Sequence, residues 1–542
     1  MKRAFFFFFL LSLAFRQYAQ ISLPANLQFN PPADLQTDFQ RALQVLSQDS
    51  SMRHASWGFY AIDINTGQMV AEYNPQAFLL PASGLKVVTT ASALAILGEK
   101  FCYKTDLFYV KTQAIFKAQP VKTGELVKTQ DMTKQPVKTE DFREGVFRCS
   151  LILRASGDPS LGSLYQENTV LIDSLLGLYA NSIQKVGGKE NGFALDGVGL
   201  DGFTLDNTVF KANPPETWEF GDLAESYGAV ADGFMLNENV LELKIKRTMA
   251  RERRPFISSS YPKLLPNDYL NFKFTSLPND GNAVNLDDYL AKKTVKGEIA
   301  AGSDSFSLRI ANTTAASYFT GVFLNKIAAS GKLIDNKLTP RIIDYENKYT
   351  ATNRLNYDST HLLYSHSSPT LSALVKRCNE RSVNIYAEAF LKTIGLKAAF
   401  DGTTEAGIAA LTSYWKKRKV ELEGLNMVDG SGLSRHNAVT PFFMANFMRT
   451  VWLDKKIAEP FYLSLPIAGE TGTLEKWFQD APAKGKIRAK TGSMSGVLSY
   501  TGYAPRSNGS TIAFCLIVNH YSGKANDMRK KLTWVLGKLV EI

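Results

Sequence analysis

Ser83 and Lys86 stand three residues apart in Ser83-Gly84-Leu85-Lys86. On a helix that spacing puts both on one face, so an amine can meet a hydroxyl. A serine hydroxyl is a weak nucleophile until a base takes its proton. A lysine serves as that base once burial or a nearby positive charge lowers its pKa. A helix N-terminus adds N–H donors for a developing oxyanion. The chemistry on offer is acyl transfer through a covalent serine intermediate. Spacing alone is no signature, because Ser182/Lys185, Ser260/Lys263 and Ser413/Lys416 repeat it. Taken singly, such a serine reads as a cap beside a surface lysine. Context separates Ser83: a strand and hairpin upstream, Pro81-Ala82 at the helix entry, and a small-residue apolar helix behind it.

Two further short elements follow. Ser382-Val383-Asn384 sits at a helix start after Asn379-Glu380-Arg381. There the hydroxyl can relay a proton, and the carboxamide can hold a substrate amide or the base lysine. An N-cap is the plain alternative. Lys490-Thr491-Gly492 ends the run Ile487-Arg488-Ala489-Lys490. A strand edge offers backbone N–H and C=O groups to an extended peptide. Lysine and threonine beside it suit a carboxylate, and glycine allows close approach to the backbone. A decoy, Lys122-Thr123-Gly124, precedes the Ser-x-Asn element and lies among Val-Lys-Thr repeats at Val110, Val121, Val127 and Val137. Its polar, turn-prone surroundings exclude it. Three weak signals in the order Ser-x-x-Lys, Ser-x-Asn, Lys-Thr-Gly make one strong signal.

The elements that must position these groups are readable from pattern. Gly58 to Asn65 and Met69 to Tyr73 read as a hairpin, and a helix runs from Pro81-Ala82-Ser83 to about Leu97. Tyr103 to Val110 and Val146 to Arg154 read as paired strands around the Val-Lys-Thr stretch, taken as a mobile low-complexity hairpin insertion. Residues 155 to 350 read as β-rich inserted structure, with a strand at Val240 to Ile245. Helical periodicity returns at Leu371 to Asn379, Val383 to Thr393 and Thr404 to Lys419. Ile487 to Thr491, Leu498 to Tyr503 and Thr511 to Asn519 read as strands, and Asp527 to Val540 as a closing helix packed on them rather than a membrane anchor. The expected organisation is a leader over 1–19, a discontinuous α/β catalytic part over 20–100 and 356–542, and a β-rich insert over 101–355.

Composition agrees with export and excludes several classes. Lys2 and Arg3, the apolar run Ala4 to Phe15 and Tyr18-Ala19-Gln20 form a signal-peptide pattern cut after Ala19. The run is shorter than the roughly 20 apolar residues of a spanning helix. The expected location is therefore the periplasm or cell envelope. Cutting there lowers the net charge from +11 to +8, still basic. Peripheral contact with anionic surfaces is open, while nucleic acid is excluded for want of any basic-aromatic motif. Apolar residues at 45% and charged residues at 21% of 542 are globular proportions for two or three modules. Cys102, Cys149, Cys378 and Cys515 lie far apart, and only Cys102 with Cys149 offers a conceivable disulfide. No His or Cys spacing suggests a metal, and no cofactor is expected.

Around the three elements the chain resembles the class C low-molecular-mass penicillin-binding proteins, the D-alanyl-D-alanine carboxypeptidase/endopeptidase family. The resembling segments are PASGLKVVTTASAL at 81, GDPSL at 157, SVNIYAEAFLK at 382, DGSGLSRHN at 429, ETGTL at 470 and AKTGSMSGVLSYTGY at 489. The resemblance implies a penicillin-binding/β-lactamase-like transpeptidase fold, an antiparallel sheet flanked by helices, with a long β-rich inserted region. It implies that Ser83 attacks the penultimate D-alanine carbonyl of peptidoglycan stem peptides with Lys86 as base. Ser382 and Asn384 would assist, Lys490 and Thr491 would hold the terminal carboxylate, and N–H groups of Ser83 and Ser493 would bind the oxyanion beside Gly492. β-Lactams would act as covalent inhibitors. In Trp218-Glu219-Phe220-Gly221-Asp222 the resemblance makes Asp222 a specificity residue for the amino end of the stem-peptide side chain, where a surface-turn aspartate is the alternative. Arg435 would face the substrate too. The middle motif departs from many relatives in carrying Val383 rather than aspartate. A β-lactamase would need a deacylating base, and none is identifiable. An idle wall-binding protein would tolerate loss of Ser83, Lys86 or Lys490, all present. A Ser-His-Asp hydrolase would have to use His436, which no spacing supports.

Overall fold

The computed structural model describes residues 36–118, 142–167, 169–184, 189–190, 193–248, 255–263, 271–277, 283–287, 294–300, 302–329, 340–347, 355, 357, 359–479, 482–506 and 508–541. The leader expected over 1–19 and the repeats at Val121, Val127 and Val137, with Lys122-Thr123-Gly124, lie outside them.

The chain's two ends build one five-stranded antiparallel sheet. Its order is Arg488–Met494, Val497–Pro505, Thr511–Asn519, Ser56–Asp63, Met69–Tyr73. Ser56 pairs with Asn519 and Asp63 with Ile512, so the first and last pieces meet at the sheet centre. Both faces are covered, and strand parity shows how. Tyr60 and Ile62 join one core, and Phe59 and Ala61 the other. The same split divides Cys515 and Ile517 from Phe514 and Leu516. The expected alternation over Gly58 to Asn65 is therefore a strand buried on both sides, its pattern unbroken after Ser56.

One face carries Lys86–Leu97, Leu371–Arg381, Asn384–Ala399, Thr404–Lys417 and Pro441–Leu453. Lys86–Leu97 is buried at ten positions including Thr89, Thr90 and Ser92, whose hydroxyls bond to Gly430 O, Lys86 O and Val88 O. A helix this enclosed is apolar or self-satisfied all round. The other face carries Gln36–Gln48 and Ala525–Gly537. The closing helix thus packs on the strands through Met528, Leu532, Val535 and Leu536.

The insert is built on a larger sheet, ordered Pro340–Asp344, Phe193–Asn207, Phe142–Arg154, Lys104–Ala118, His361–Ser367. Lys104–Ala118 and Phe142–Arg154 pair antiparallel out to Ala118 and Phe142. Two three-stranded sheets accompany it. Among the described residues the insert also contains the helices Ile172–Gln184 and Ala315–Ala329, whose Tyr179, Phe319 and Phe323 fill its core against Leu151, Phe203 and Leu205. His361–Ser367, expected on the catalytic side of the 355/356 boundary, pairs from His361↔Tyr109 to Ser367↔Lys104. The insert's sheet is incomplete without it. Cys102 and Cys149, the one pair for which a disulfide was conceivable, are both free thiols.

Glu238 ties the insert to the helices Leu371–Arg381 and Asn384–Ala399. It is 1% exposed and accepts from Arg377 Nη2 at 3.1 Å, Arg309 Nη2 at 3.4 Å, Ser163 Oγ at 3.1 Å and Tyr386 OH at 3.4 Å. Asn237, Glu238 and Asn239 all have positive φ, a strained run held in place by these bonds. Among the described residues, no helix is long and apolar enough to cross a membrane.

Candidate active site

Ser83 lies in a 3-10 turn, Ala82–Leu85, that leads directly into Lys86–Leu97. Ala82 takes φ 46°, an unusual value for a residue with a Cβ, immediately before Ser83. The turn is pinned from the sheet by Ser499 Oγ, which donates to Pro81 O at 2.6 Å.

Lys86 is 0% exposed. Its Nζ lies 2.7 Å from Ser83 Oγ, 2.6 Å from Asn384 Oδ1 and 2.7 Å from Ser431 O. Burial pushes its pKa down to about 8, against the opposing pull of Cys378, Asp429 and Glu388. The geometry suits the neutral amine: two N–H groups serve the Asn384 and Ser431 oxygens, leaving the lone pair for the Ser83 O–H.

Each partner is itself held. Asn384 opens its helix and donates Nδ2 to Tyr227 O at 2.8 Å, which aims Oδ1 at Lys86. The loop carrying Ser431 is fixed by two buried carboxylates. Asp429 accepts from Gly432 N at 2.7 Å, Ser434 N at 2.7 Å, Asn437 Nδ2 at 2.9 Å and Trp218 Nε1 at 2.9 Å. Glu388 accepts from Ser431 N at 2.7 Å and Gly430 N at 3.0 Å. Burial, with Asp429 nearby, raises the Glu388 carboxyl above its usual range. These amides turn the Ser431 carbonyl toward Lys86 Nζ.

Ser382 is not an N-cap. It is the left-handed residue, φ 59°, that ends Leu371–Arg381, and Val383 caps the next helix. This sharp joint brings Ser382 Oγ to 2.9 Å from Lys490 Nζ, which also donates to Thr491 O at 2.7 Å. Burial and the charge of Lys86 hold Lys490 well below the usual lysine pKa.

Lys490-Thr491-Gly492 lies on Arg488–Met494, an outer strand of the sheet. Gly492 is required there, since a Cβ would collide with Pro81 O and Ser499 Oγ and come within 2.7 Å of Gly84 N. Thr491 Oγ1 donates to Thr473 Oγ1 at 2.8 Å. A cleft of about 750 Å³ opens between strand, turn and insert. Its walls include Ser83, Ser382, Asn384, Thr491, Gly492, Ser493, Asp222 and Arg435, but not Lys86 or Lys490, which lie beneath. No histidine lines it. Asp222 accepts from Tyr227 OH at 3.0 Å, and Arg435 Nε donates to Glu219 Oε1 at 2.5 Å.

Sequence reasoning missed the Ser431 carbonyl, Glu388, Tyr227, Thr473 and Arg529. A main-chain carbonyl has no side-chain signature. Glu388 does leave a trace: a carboxylate inside an otherwise apolar stretch, Ile385 to Leu391, on a helix buried from Asn384 to Gly395. Among the described residues no group of His, Cys, Asp and Glu is arranged to hold a metal.

The family model described as D-Ala-D-Ala carboxypeptidase 3 (S13) matches residues 39–127 and 132–538. A relative named penicillin-sensitive carboxypeptidase A, from Dictyostelium discoideum, is 27% identical over 503 residues, covering 89% of this chain and 86% of the relative. A D-alanyl-D-alanine carboxypeptidase from Haemophilus influenzae is 25% identical over 513 residues, covering 92% and 91%. Among solved structures, penicillin binding protein 4 from Haemophilus influenzae superposes with a TM-score of 0.69 at 21% identity, covering 92% of this chain and 97% of that one. The two share the fold.

Proposed function

The chain belongs to the D-Ala-D-Ala carboxypeptidase 3 (S13) family, the low-molecular-mass class C penicillin-binding proteins, and from that premise we propose that it cleaves peptidoglycan stem peptides through an acyl-enzyme on Ser83. It is a serine-type D-Ala-D-Ala carboxypeptidase, with D,D-endopeptidase action within the same chemistry. One observation carries the assignment of roles: a fully buried lysine amine within 2.7 Å of a cleft-lining serine hydroxyl.

Neutral Lys86 takes the Ser83 proton as Oγ attacks the penultimate D-alanine carbonyl. The oxyanion forms against the Ser83 and Ser493 N–H groups, where one lost donor costs roughly 10²–10³ in rate. The proton taken by Lys86 is returned through Ser382, which Lys490 supports, to the departing D-alanine nitrogen, leaving Lys86 neutral again. The peptide main chain lies along Arg488–Met494 as an added strand, and Asn384 meets its amide. Asp222 and Arg435, both on the cleft wall, read the side chain of the stem peptide. Water then releases the acyl group. β-Lactams acylate Ser83 by the same attack; a Dictyostelium relative is named penicillin-sensitive. The substrate and the leader-like pattern Lys2 to Ala19 support a location in the periplasm or envelope.

Labelling with a fluorescent penicillin, on wild type and Ser83→Ala, tests this with mass spectrometry of the labelled peptide. The expected result is stable label on the Ser83 peptide, lost in the variant while folding is kept. Rapid release of hydrolysed penicillin would favour a β-lactamase instead. Folded wild type that takes no label would refute the catalytic assignment.

A further inference from the structure

The proposed reaction needs a seat for the substrate's terminal carboxylate, which the family resemblance gives to Lys490 and Thr491. Lys490 is badly placed for it. It is 0% exposed, its Nζ is engaged by Ser382 Oγ and Thr491 O, and it does not reach the cleft wall. Strand parity gives the reason: residue 490 projects to the face opposite 491 and 493. Thr491 and Ser493 both line the cleft and present hydroxyls, which can bond a carboxylate but cannot neutralise it.

A cation stands beside them. Arg529, on Ala525–Gly537, lines the same cleft as Ser83 and donates Nη2 to Ser493 Oγ at 2.7 Å. Its Nη1 donates to Asn526 Oδ1 at 3.1 Å, and its Cζ lies 5.7 Å from the Trp477 ring centroid. These contacts fix the guanidinium while leaving most of its five N–H donors unused. It makes no ion pair among the described residues, whereas Arg435, the other arginine of the cleft, already faces Glu219 at 2.5 Å. A planar, partly exposed guanidinium next to two hydroxyls is a fork shaped for a carboxylate.

We propose that Arg529, with the Ser493 and Thr491 hydroxyls, seats the terminal carboxylate of the substrate, and that Lys490 serves Ser382 instead. The inference rests on the reading given under Proposed function. It makes Arg529 a specificity residue, so its loss should tell only on ligands that carry the charge.

The test pairs ligands that differ in that charge alone: an N-acyl-D-Ala-D-Ala peptide against its C-terminal amide, and benzylpenicillin against its methyl ester. Arg529→Gln should lower kcat/KM on the free acid and acylation by benzylpenicillin by roughly 10- to 100-fold, the cost of one charge-assisted hydrogen bond. The amide and the ester should react with wild type and variant alike, and Arg529→Lys should recover part of the loss. Equal losses on charged and uncharged ligands would overturn the proposal, as would no loss on either. Wild type that is acylated by neither penicillin would instead refute the enzyme reading, and the carboxylate seat with it.

Discussion

Lys86 should act as a base only in its neutral form, so the rate of Ser83 acylation should follow its titration. With the pKa pushed down to about 8, about one lysine in ten is neutral at pH 7, half at pH 8 and nine in ten at pH 9. Acylation should therefore rise about fivefold from pH 7 to 8, rise less than twofold to pH 9, and then level off. At the ordinary value of 10.5, only about one in 3,000 would be neutral at pH 7, so burial makes the base about 300 times more available. Glu388 supplies a second handle, because its charge opposes the lowering. Glu388→Gln keeps an oxygen for the Ser431 and Gly430 amides but removes that charge. The inflection should then move to lower pH by up to roughly one unit. Stopped-flow acylation by a fluorescent penicillin between pH 6 and 10, on both proteins, measures this directly. A flat profile between pH 7 and 9 would refute Lys86 as base, as would an inflection in the carboxylate range. An upward move in Glu388→Gln would refute the electrostatic reasoning.

Gly492→Ala should abolish acylation and destabilise the fold by about 1–3 kcal/mol, since the strand has no room to retreat from the turn; thermal melting and penicillin labelling read the two effects. Glu238→Gln leaves Arg377 and the partly exposed Arg309 without a counter-charge and should cost about 1–3 kcal/mol, checked by urea unfolding. Asp49 accepts from Lys531 Nζ at 2.7 Å and has its pKa lowered from 3.8 to about 2, chiefly by that bond. A carboxyl depressed by folding stabilises above its unfolded value and loses that contribution as pH falls through the folded one. The melting-temperature gap between wild type and Asp49→Asn should thus be full at pH 5 and shrink toward pH 2.

What the sequence disclosed depended on how local each signal was. Ser83 and Lys86 were legible because their meeting needs only one turn of helix. The central strands were legible because continuous apolar runs such as Thr511 to Asn519 suit a sheet covered on both faces. Ala315–Ala329 was missed because its Tyr318, Phe319, Val322 and Phe323 suit a strand as well as a helix, and only packing on Tyr179 and Phe203 decides. The joint at Ser382 was read as a possible cap because serine commonly caps helices, whereas a left-handed serine is set by its two flanking helices. Arg529 was invisible because its meaning comes from Ser493, brought beside it by the sheet.

The meeting of the chain's two ends at the centre of one sheet also governs when the protein can first become reactive. Lys86 meets Asn384 across 298 residues, and the amide before the nucleophile turn, Leu80 N, bonds to Asn519 across 439. Contacts so distant in sequence form late, after the loop-closure entropy of the whole insert has been met. During synthesis, the segment bearing Ser83 must wait for Thr511–Asn519 before its strand has a central neighbour. Any chain cut short of that strand would still carry Ser83, Lys86, Asn384 and Ser431 but not the central strand on which they assemble, and so would be a harmless fragment rather than a truncated hydrolase.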